Sequence, residues 1–210
     1  MAPISSSSSP TEWYKANYLI STSPNLLDTK AINAAFDSPE VYWGKALPLD
    51  TLNKMLNNSL CFGLYELPQS TAALAGQYTY LPIFPPNPFL PPSTSTAAKN
   101  PIGRASPTQI GLARLITDEV SFAWLTDVYV LPEYQKQGLG KWLMECVNEV
   151  VSSWPELRRV VCLASSTGEE AKEFYSKMLG LSVFESGKGM HGLVVLNRAG
   201  PGSVDALQTD

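Results

Sequence analysis

The spacing of apolar positions changes several times along the chain, and each change marks an element. Trp13 to Ser21 carries aromatic and branched residues and predicts a first strand. From Asp28 to Phe36, the apolar residues Ile32, Ala35 and Phe36 fall at helical spacing. Asp50 opens a second short helix with Leu52, Met55 and Leu56 on one face, and Asn57, Asn58 and Ser59 end it. Cys61 to Leu67 reads as a strand. Gln109 to Thr117 is the next, with Ile110, Leu112 and Ile116 toward one side and Ala113 and Leu115 toward the other. Asp118 and Glu119 turn the chain into Ser121 to Leu131, so these two strands predict a hairpin. The second of them is apolar on both faces, as a central strand is.

The period then becomes helical. Leu139, Trp142, Leu143, Cys146, Val147, Val150, Val151 and Trp154 alternate steps of three and four, and Pro155 ends the run. Val160 to Ala164 is a continuous apolar stretch, read as a buried strand. Thr167 and Glu170 form a capping box for a last helix. Its core face is Ala171, Phe174, Tyr175, Met178 and Leu179, and Gly180 closes it. Ser182 to Glu185 and Gly192 to Leu196 read as two final strands. The sequence therefore predicts an α/β fold with an α+β mixed sheet, about seven strands and four main helices.

Three segments stand outside this pattern. Residues 1 to 12 begin Ser-rich and read as a disordered tail, and 199 to 210 as a second loose tail. Between them, 13 to 198 reads as one domain. Within it, 68 to 107 is a Pro-rich insertion in which Pro82, Pro85, Pro88 and Pro91 recur every third residue. That segment excludes helix and interior strand and reads as an extended loop. A ligand for a proline-recognising module is the competing reading, but no basic residue closely flanks the prolines.

Composition narrows the function classes. The chain has 210 residues, 44 % hydrophobic and 16 % charged, with a net charge of −4 and a pI near 5.1. It lacks the broad basic field that nucleic acid or an anionic membrane selects, so neither is expected as a partner. No signal-peptide pattern opens the chain, and no apolar run reaches transmembrane length. Cys61, Cys146 and Cys162 match no zinc or disulfide framework and read as buried thiols in a reducing compartment. The expected location is the cytoplasm, with the nucleus left open.

The segment richest in chemistry is Val128-Tyr129-Val130-Leu131-Pro132-Glu133-Tyr134-Gln135-Lys136-Gln137-Gly138-Leu139-Gly140-Lys141. A central strand ends at a proline, and after a short loop two glycines open a long helix. The first turn of a helix has unpaired N–H groups and a partial positive charge. Glycine at 138 and 140 lets a phosphate approach that backbone. Gln135, Lys136, Gln137 and Lys141 add donors and positive charge. Leu143 stands where a dinucleotide fingerprint needs its third glycine, and no Gly-Lys-Ser/Thr follows. The site is an anion cradle of another kind, or a tight turn.

Gln135-x-x-Gly138-x-Gly140 after a strand ending Val128-Tyr129-Val130-Leu131-Pro132 resembles the acetyl-CoA signature of the GNAT superfamily of N-acetyltransferases. The element order from Trp13 to Arg198 is similar to that fold, as is Phe174-Tyr175 followed by Met178-Leu179-Gly180-Leu181. The specific part spans 124 to 184. Leu60 to Tyr65, Gln109 to Thr117 and Gly140 to Leu143 also resemble small fungal and bacterial members without assigned substrates.

The resemblance implies a splay of central strands beside Val128 to Val130. Backbone groups of Val128, Tyr129 and Val130 would then line the pantetheine arm, which pairs like an added strand. The N–H groups of Gln137, Gly138, Leu139, Gly140 and Lys141 would hold the pyrophosphate. Tyr175 would protonate the departing thiolate, against the simpler reading of a core tyrosine. Acetyl-CoA is the implied co-substrate, with no metal and no covalent intermediate. The acceptor would be an amine of a small molecule or a protein, and the enzyme a monomer or homodimer.

The chain departs from the family in two places. Several relatives carry an acid where Thr126 stands here. Asp127 is adjacent, but strand alternation would turn it to the opposite face, so a base role and a structural role stay equally open. An asparagine frequent in the family three residues before the helix alanine is replaced by Gly168, and Ser165 or Ser166 would substitute for it. His191, the one histidine, reads as an exposed turn residue rather than a base. Tyr42-Trp43 either line an acceptor site or belong to the core. The missing acid at 126 supports a rival reading, a non-catalytic acyl-CoA-binding or sensor protein on the same fold.

Overall fold

Six strands form one mixed sheet whose spatial order follows the chain, β1-β2-β3-β4-β5-β6. The computed structural model describes residues 10–68, 106–164 and 169–183. The strands are β1 (Glu12–Lys15), β2 (Tyr18–Ser21), β3 (Leu60–Glu66), β4 (Thr108–Thr117), β5 (Phe122–Val130) and β6 (Arg159–Cys162). The helices are α1 (Thr29–Phe36), α2 (Leu49–Asn57), α3 (Leu139–Ser152) and α4 (Glu169–Leu179). β1 to β5 pair antiparallel in turn, and β5 pairs parallel with β6. The α3 connection between β5 and β6 is the crossover that a parallel pair requires. The mixed α/β fold of four helices is the predicted one, with six strands among the described residues.

Two layers of side chains cover the sheet. On one face, Leu139, Leu143, Met144, Cys146, Val147 and Val151 of α3 pack on Phe62, Leu64, Ala113, Leu115 and Leu125. α4 runs beside α3 and adds Phe174, Tyr175, Met178 and Leu179 to this cluster. On the other face, Ile32 and Phe36 of α1 and Leu52 and Leu56 of α2 pack on Cys61, Leu112 and Tyr129. Asp28 caps α1, its carboxylate accepting from the N–H groups of Lys30 at 2.9 Å and Ala31 at 3.1 Å. Gly180 closes α4 at φ +65°, as a C-terminal glycine does.

The structure corrects several expectations. The single first strand is a hairpin, because Lys15 pairs with Tyr18 and leaves Ala16 and Asn17 as a two-residue loop. Ala16 takes φ +52°, the positive value that lets so short a loop match strand twist. Glu12, assigned to the tail, lies in β1. Ile110 and Leu112, expected on one side, lie in different clusters. The reason is a bulge: Leu64 pairs with Gly111 and Tyr65 with Gln109, so Ile110 is an extra residue and alternation resets. Ile116, expected on the same side as Ile110 and Leu112, lies in neither cluster and is exposed at 47 %. The Pro-rich run of Pro82 to Pro91, Ser165 to Gly168, the strand predicted over 192–196 and His191 lie outside the described residues. Ser182 and Val183 are described and are not in a strand.

Candidate active site

The site is built where β5 hands the chain to α3. β6 pairs only with Phe122 to Leu125, so beyond Leu125 that edge of β5 has no neighbouring strand among the described residues. Leu131 N–H donates to the Ile110 carbonyl on β4 at 2.9 Å. Because successive residues of a strand offer their backbone groups to alternate sides, Val130 and Val128 turn theirs away from β4, toward the free edge. The Tyr129 side chain goes to the helix layer of α1, edge-to-face with Phe36 at 6.5 Å between ring centroids. Burial pushes its hydroxyl well above the usual tyrosine range.

The connecting loop is short because its turns are tight. Pro132 to Tyr134 make one turn of 3₁₀ helix. Lys136 at φ +61° and Gly138 at φ +77° curl the chain into α3. Gly138 is the N-cap and carries no capping side chain. Among the described residues, no intrachain acceptor meets the N–H groups of Gln137, Gly138, Leu139, Gly140 or Lys141 before the Trp142 N–H reaches the Gly138 carbonyl. A Cβ added at Gly138 would meet nothing within 4 Å, and one at Gly140 only Val130 Cγ2 at 3.9 Å. The first turn therefore presents bare donors and the positive end of a 14-residue helix to open space.

The polar side chains of the loop brace it. Gln135 Nε2 donates to the Val130 carbonyl at 2.9 Å, so this amide faces the strand and not the cradle. Gln137 donates to the Glu133 carbonyl at 3.3 Å and accepts from the Tyr18 hydroxyl at 3.0 Å. Tyr134 donates to Glu66 at 2.7 Å, and that bond lifts its hydroxyl to about 12. Lys141 pairs with Glu145 one turn on at 3.5 Å, both side chains being exposed. Lys136 and Lys141 carry positive charge in the loop and the first turn of the helix. Tyr18, Glu66 and Tyr134 were not legible as site residues, since each looks like an ordinary strand or turn position in sequence.

Asp127 is the largest revision. The register shifts between Leu112 and Arg114, with Leu112 opposite Tyr129 and Arg114 opposite Thr126, so β5 holds one extra residue there. Asp127 sits in this bulge at φ +50°. It does not turn away from Thr126: Thr126 Oγ1 donates to Asp127 Oδ1 at 3.3 Å, and Arg114 Nε donates to Oδ2 at 2.7 Å. Both partners of that ion pair are nearly buried, at 9 % and 12 % side-chain exposure. The geometry favours the structural reading of Asp127 over the base.

Tyr175 is half-buried on α4, edge-to-face with Phe174 at 5.4 Å. Burial, with smaller effects of Cys162 and Tyr42, pushes its hydroxyl up to about 12, so it holds its proton throughout the neutral range. Tyr42 and Trp43 form an exposed edge-to-face pair at 5.0 Å, so they lie at the surface rather than in the core. Cys61 and Cys146 are buried and pushed up to about 12, as expected of inert thiols, whereas Cys162, also expected to be buried, is only partly so because β6 is half-covered. A 410 Å³ cleft lies elsewhere, beside the C-terminal end of α3 and lined by Val150, Ser153 and Trp154.

A bare helix N-terminus beside a strand edge left open by its parallel neighbour is a layout that can be compared with known proteins. Residues 102–178 match the family model described as the acetyltransferase (GNAT) domain. A Gibberella zeae protein, FG08082, itself assigned to the acetyltransferases by inference, is 36 % identical over 194 residues, covering 92 % of this chain and 96 % of its own.

The chain belongs to the GNAT acetyltransferase family.

Among solved structures, a GNAT-family protein of Xanthomonas campestris pv. campestris aligns with a TM-score of 0.54 at 24 % identity. The alignment covers 88 % of this chain and 94 % of that one. The likeness is one of fold. The GNAT assignment makes this an acetyltransferase and gives meaning to the end of the β5–β6 pairing at Leu125, which leaves the edge open beside Val128 to Val130, where the splay was expected.

Proposed function

We propose that this GNAT protein is an acetyl-CoA-dependent N-acetyltransferase that moves an acetyl group directly to a primary amine of a small molecule or a protein. One juxtaposition supports the reading most: the bare first turn of α3 stands directly beyond the edge of β5 that β6 leaves open. The N–H groups of Gln137 to Lys141 suit a pyrophosphate, which the empty space around Gly138 and Gly140 accommodates. Val128 and Val130 offer backbone groups to an amide-bearing arm laid along the strand.

Acetyl-CoA supplies an activated thioester. The chain supplies the rest. The Val128 N–H, fixed on the open edge, stabilises the negative charge that develops on the carbonyl oxygen. Tyr175, protonated up to about pH 12, delivers a proton to the departing thiolate. An aliphatic amine with a pKa of about 10 must lose a proton before attack. With the Asp127 carboxylate held by Arg114 and Thr126, an ordered water takes that proton. The three free cysteines support a reducing compartment such as the cytoplasm.

The test is calorimetric titration with acetyl-CoA, followed by turnover against an amine library. Micromolar binding by the wild type, abolished in Gly140→Glu, with acetylation of at least one amine, supports the proposal. Binding without turnover of any amine favours the acyl-CoA sensor, a reading supported by the engaged carboxylate at 127. Absence of binding rejects both.

A further inference from the structure

Among the described residues, Arg114 is the arginine that the fold buries, within β4 between Ala113 and Leu115, both at 0 % exposure. Its guanidinium makes two directed contacts. Nε donates to Asp127 Oδ2 at 2.7 Å, and Nη1 donates to Ser59 Oγ at 2.9 Å. Ser59 Oγ in turn donates to the Met55 carbonyl in the last turn of α2 at 2.9 Å. A chain of polar contacts thus runs from the end of α2 through Arg114 to the residue that forms the bulge.

The bulge decides which way β5 faces. Leu125 points into the α3 layer and pairs with Leu115. Regular alternation from there would send Tyr129 into the α3 layer, and Val128 and Val130 under α1. The observed order is the reverse, with Tyr129 under α1 and Val128 and Val130 against the α3 cluster. One extra residue flips the whole strand end, as any one-residue slip must. Asp127 is that residue, and a left-handed φ is a conformation that aspartate tolerates better than most side chains. A nearly buried ion pair contributes little net stability, because desolvation offsets its attraction. What such a pair does contribute is a preference for one register, since any other leaves two charges unpaired.

We propose that Arg114 is a positioning residue for acetyl transfer: through Asp127 it holds the bulge that aims the Val128 N–H along the open edge of β5. The role rests on the transferase reading above. Without the clamp the bulge relaxes locally and that N–H no longer faces the reacting carbonyl, while Val130, paired opposite Gly111, and the α3 cradle for the diphosphate still hold the cofactor. The rate should therefore fall while affinity for acetyl-CoA holds.

The experiment compares wild type, Arg114→Lys and the double variant Arg114→Met/Asp127→Asn, which buries no charge and keeps a residue tolerant of positive φ at 127. Thermal melting, KM for acetyl-CoA and kcat are read separately. The double variant is expected to melt within about 5 °C of wild type, keep KM for acetyl-CoA within roughly threefold, and lose kcat by roughly 10²-fold, the scale of one misplaced oxyanion donor. Arg114→Lys, a point charge unable to bridge Asp127 and Ser59 together, should fall between. An unchanged kcat in the folded double variant overturns the role, as does a raised KM at unchanged kcat. If the double variant does not fold, wild-type kcat in Arg114→Lys overturns it and a partial loss at constant KM supports it. A wild type that acetylates nothing fails earlier and takes the transferase reading down with it, so the two failures are distinguishable.

Discussion

The side-chain amide of Gln135 donates to the backbone carbonyl of Val130 at 2.9 Å, tying the loop that leaves β5 back onto the strand it left. The bond uses one lone pair of an acceptor on the open edge, so under the proposed function an incoming pantetheine arm would share the Val130 carbonyl with Gln135. It also ties the strand edge to the α3 cradle, the two places that one cofactor would reach at once under the proposed function. Gln135→Leu keeps the side chain's bulk and removes the donor. Losing one such bond costs about 1 kcal/mol, so acetyl-CoA should bind roughly fivefold more weakly. Calorimetry on the two proteins measures it. Equal affinities would show that the loop keeps its shape without the bond.

The two glycines at the start of α3 have different reasons to be glycine, and substitutions separate them. Gly138 sits at φ +77°, where any β-carbon is strained whatever the space around it. Gly138→Ala should lower stability by about 1 kcal/mol, read as a lower melting temperature. Gly140 lies inside the helix with open space above it, so Gly140→Glu should fold normally. Its carboxylate would project into the anion cradle and abolish acetyl-CoA binding. A Gly140→Glu protein that still binds at wild-type affinity would move the cofactor away from this turn.

What the sequence showed and hid follows from which signals are local. The periodicity of α3 from Leu139 and the glycine-opened loop before it are local, and both stand as read. The Lys15–Tyr18 hairpin was hidden because nothing in the composition of Ala16-Asn17 demands a turn, and only the pairing partner reveals it. The bulges at Ile110 and Asp127 were hidden for a related reason. A period-two reading assumes one residue per rung, while a bulge is a property of two strands together. The same blindness put Asp127 on the wrong side of Thr126. Arg114 gave one signal that went unused: a lone charge in an otherwise uncharged β4 has to meet a buried anion, and Asp127 was the acid facing it across the hairpin.

Tyr175 is placed to test as a proton donor because burial keeps it neutral. With its hydroxyl pushed up to about 12, ionisation of this residue should leave no mark on the rate below about pH 11. Tyr175→Phe should lower kcat by roughly 10²-fold with acetyl-CoA affinity nearly intact, since in the proposed mechanism the hydroxyl serves the leaving group and not the diphosphate. The defect should shrink with an acyl donor whose thiol is more acidic, because that leaving group needs less help from an acid. A defect of the same size with every donor would mark Tyr175 as packing, consistent with its edge-to-face contact with Phe174.

Alkaline pH should unfold this protein earlier than its neutral stability suggests, and the buried thiols set where the loss begins. Burial raises Cys162 from an ordinary 9.0 and pushes Cys61 and Cys146 from the same value up to about 12 in the folded state. Below pH 9 all three are protonated folded or unfolded, and their burial costs nothing in ionisation. Between 9 and 12 the unfolded chain releases these protons and the folded chain keeps them, so stability falls steadily as pH rises. Tyr65 and Tyr129, raised by burial from an ordinary 10.0, join only above that value. The interval from 9 to 10 therefore belongs mainly to the thiols. In urea unfolding across that interval, wild type should lose midpoint with each step in pH. The Cys61→Ala/Cys146→Ala variant should start lower at pH 7, from two small cavities, and run flatter. Parallel slopes for the two proteins would mean that other groups govern the alkaline limb.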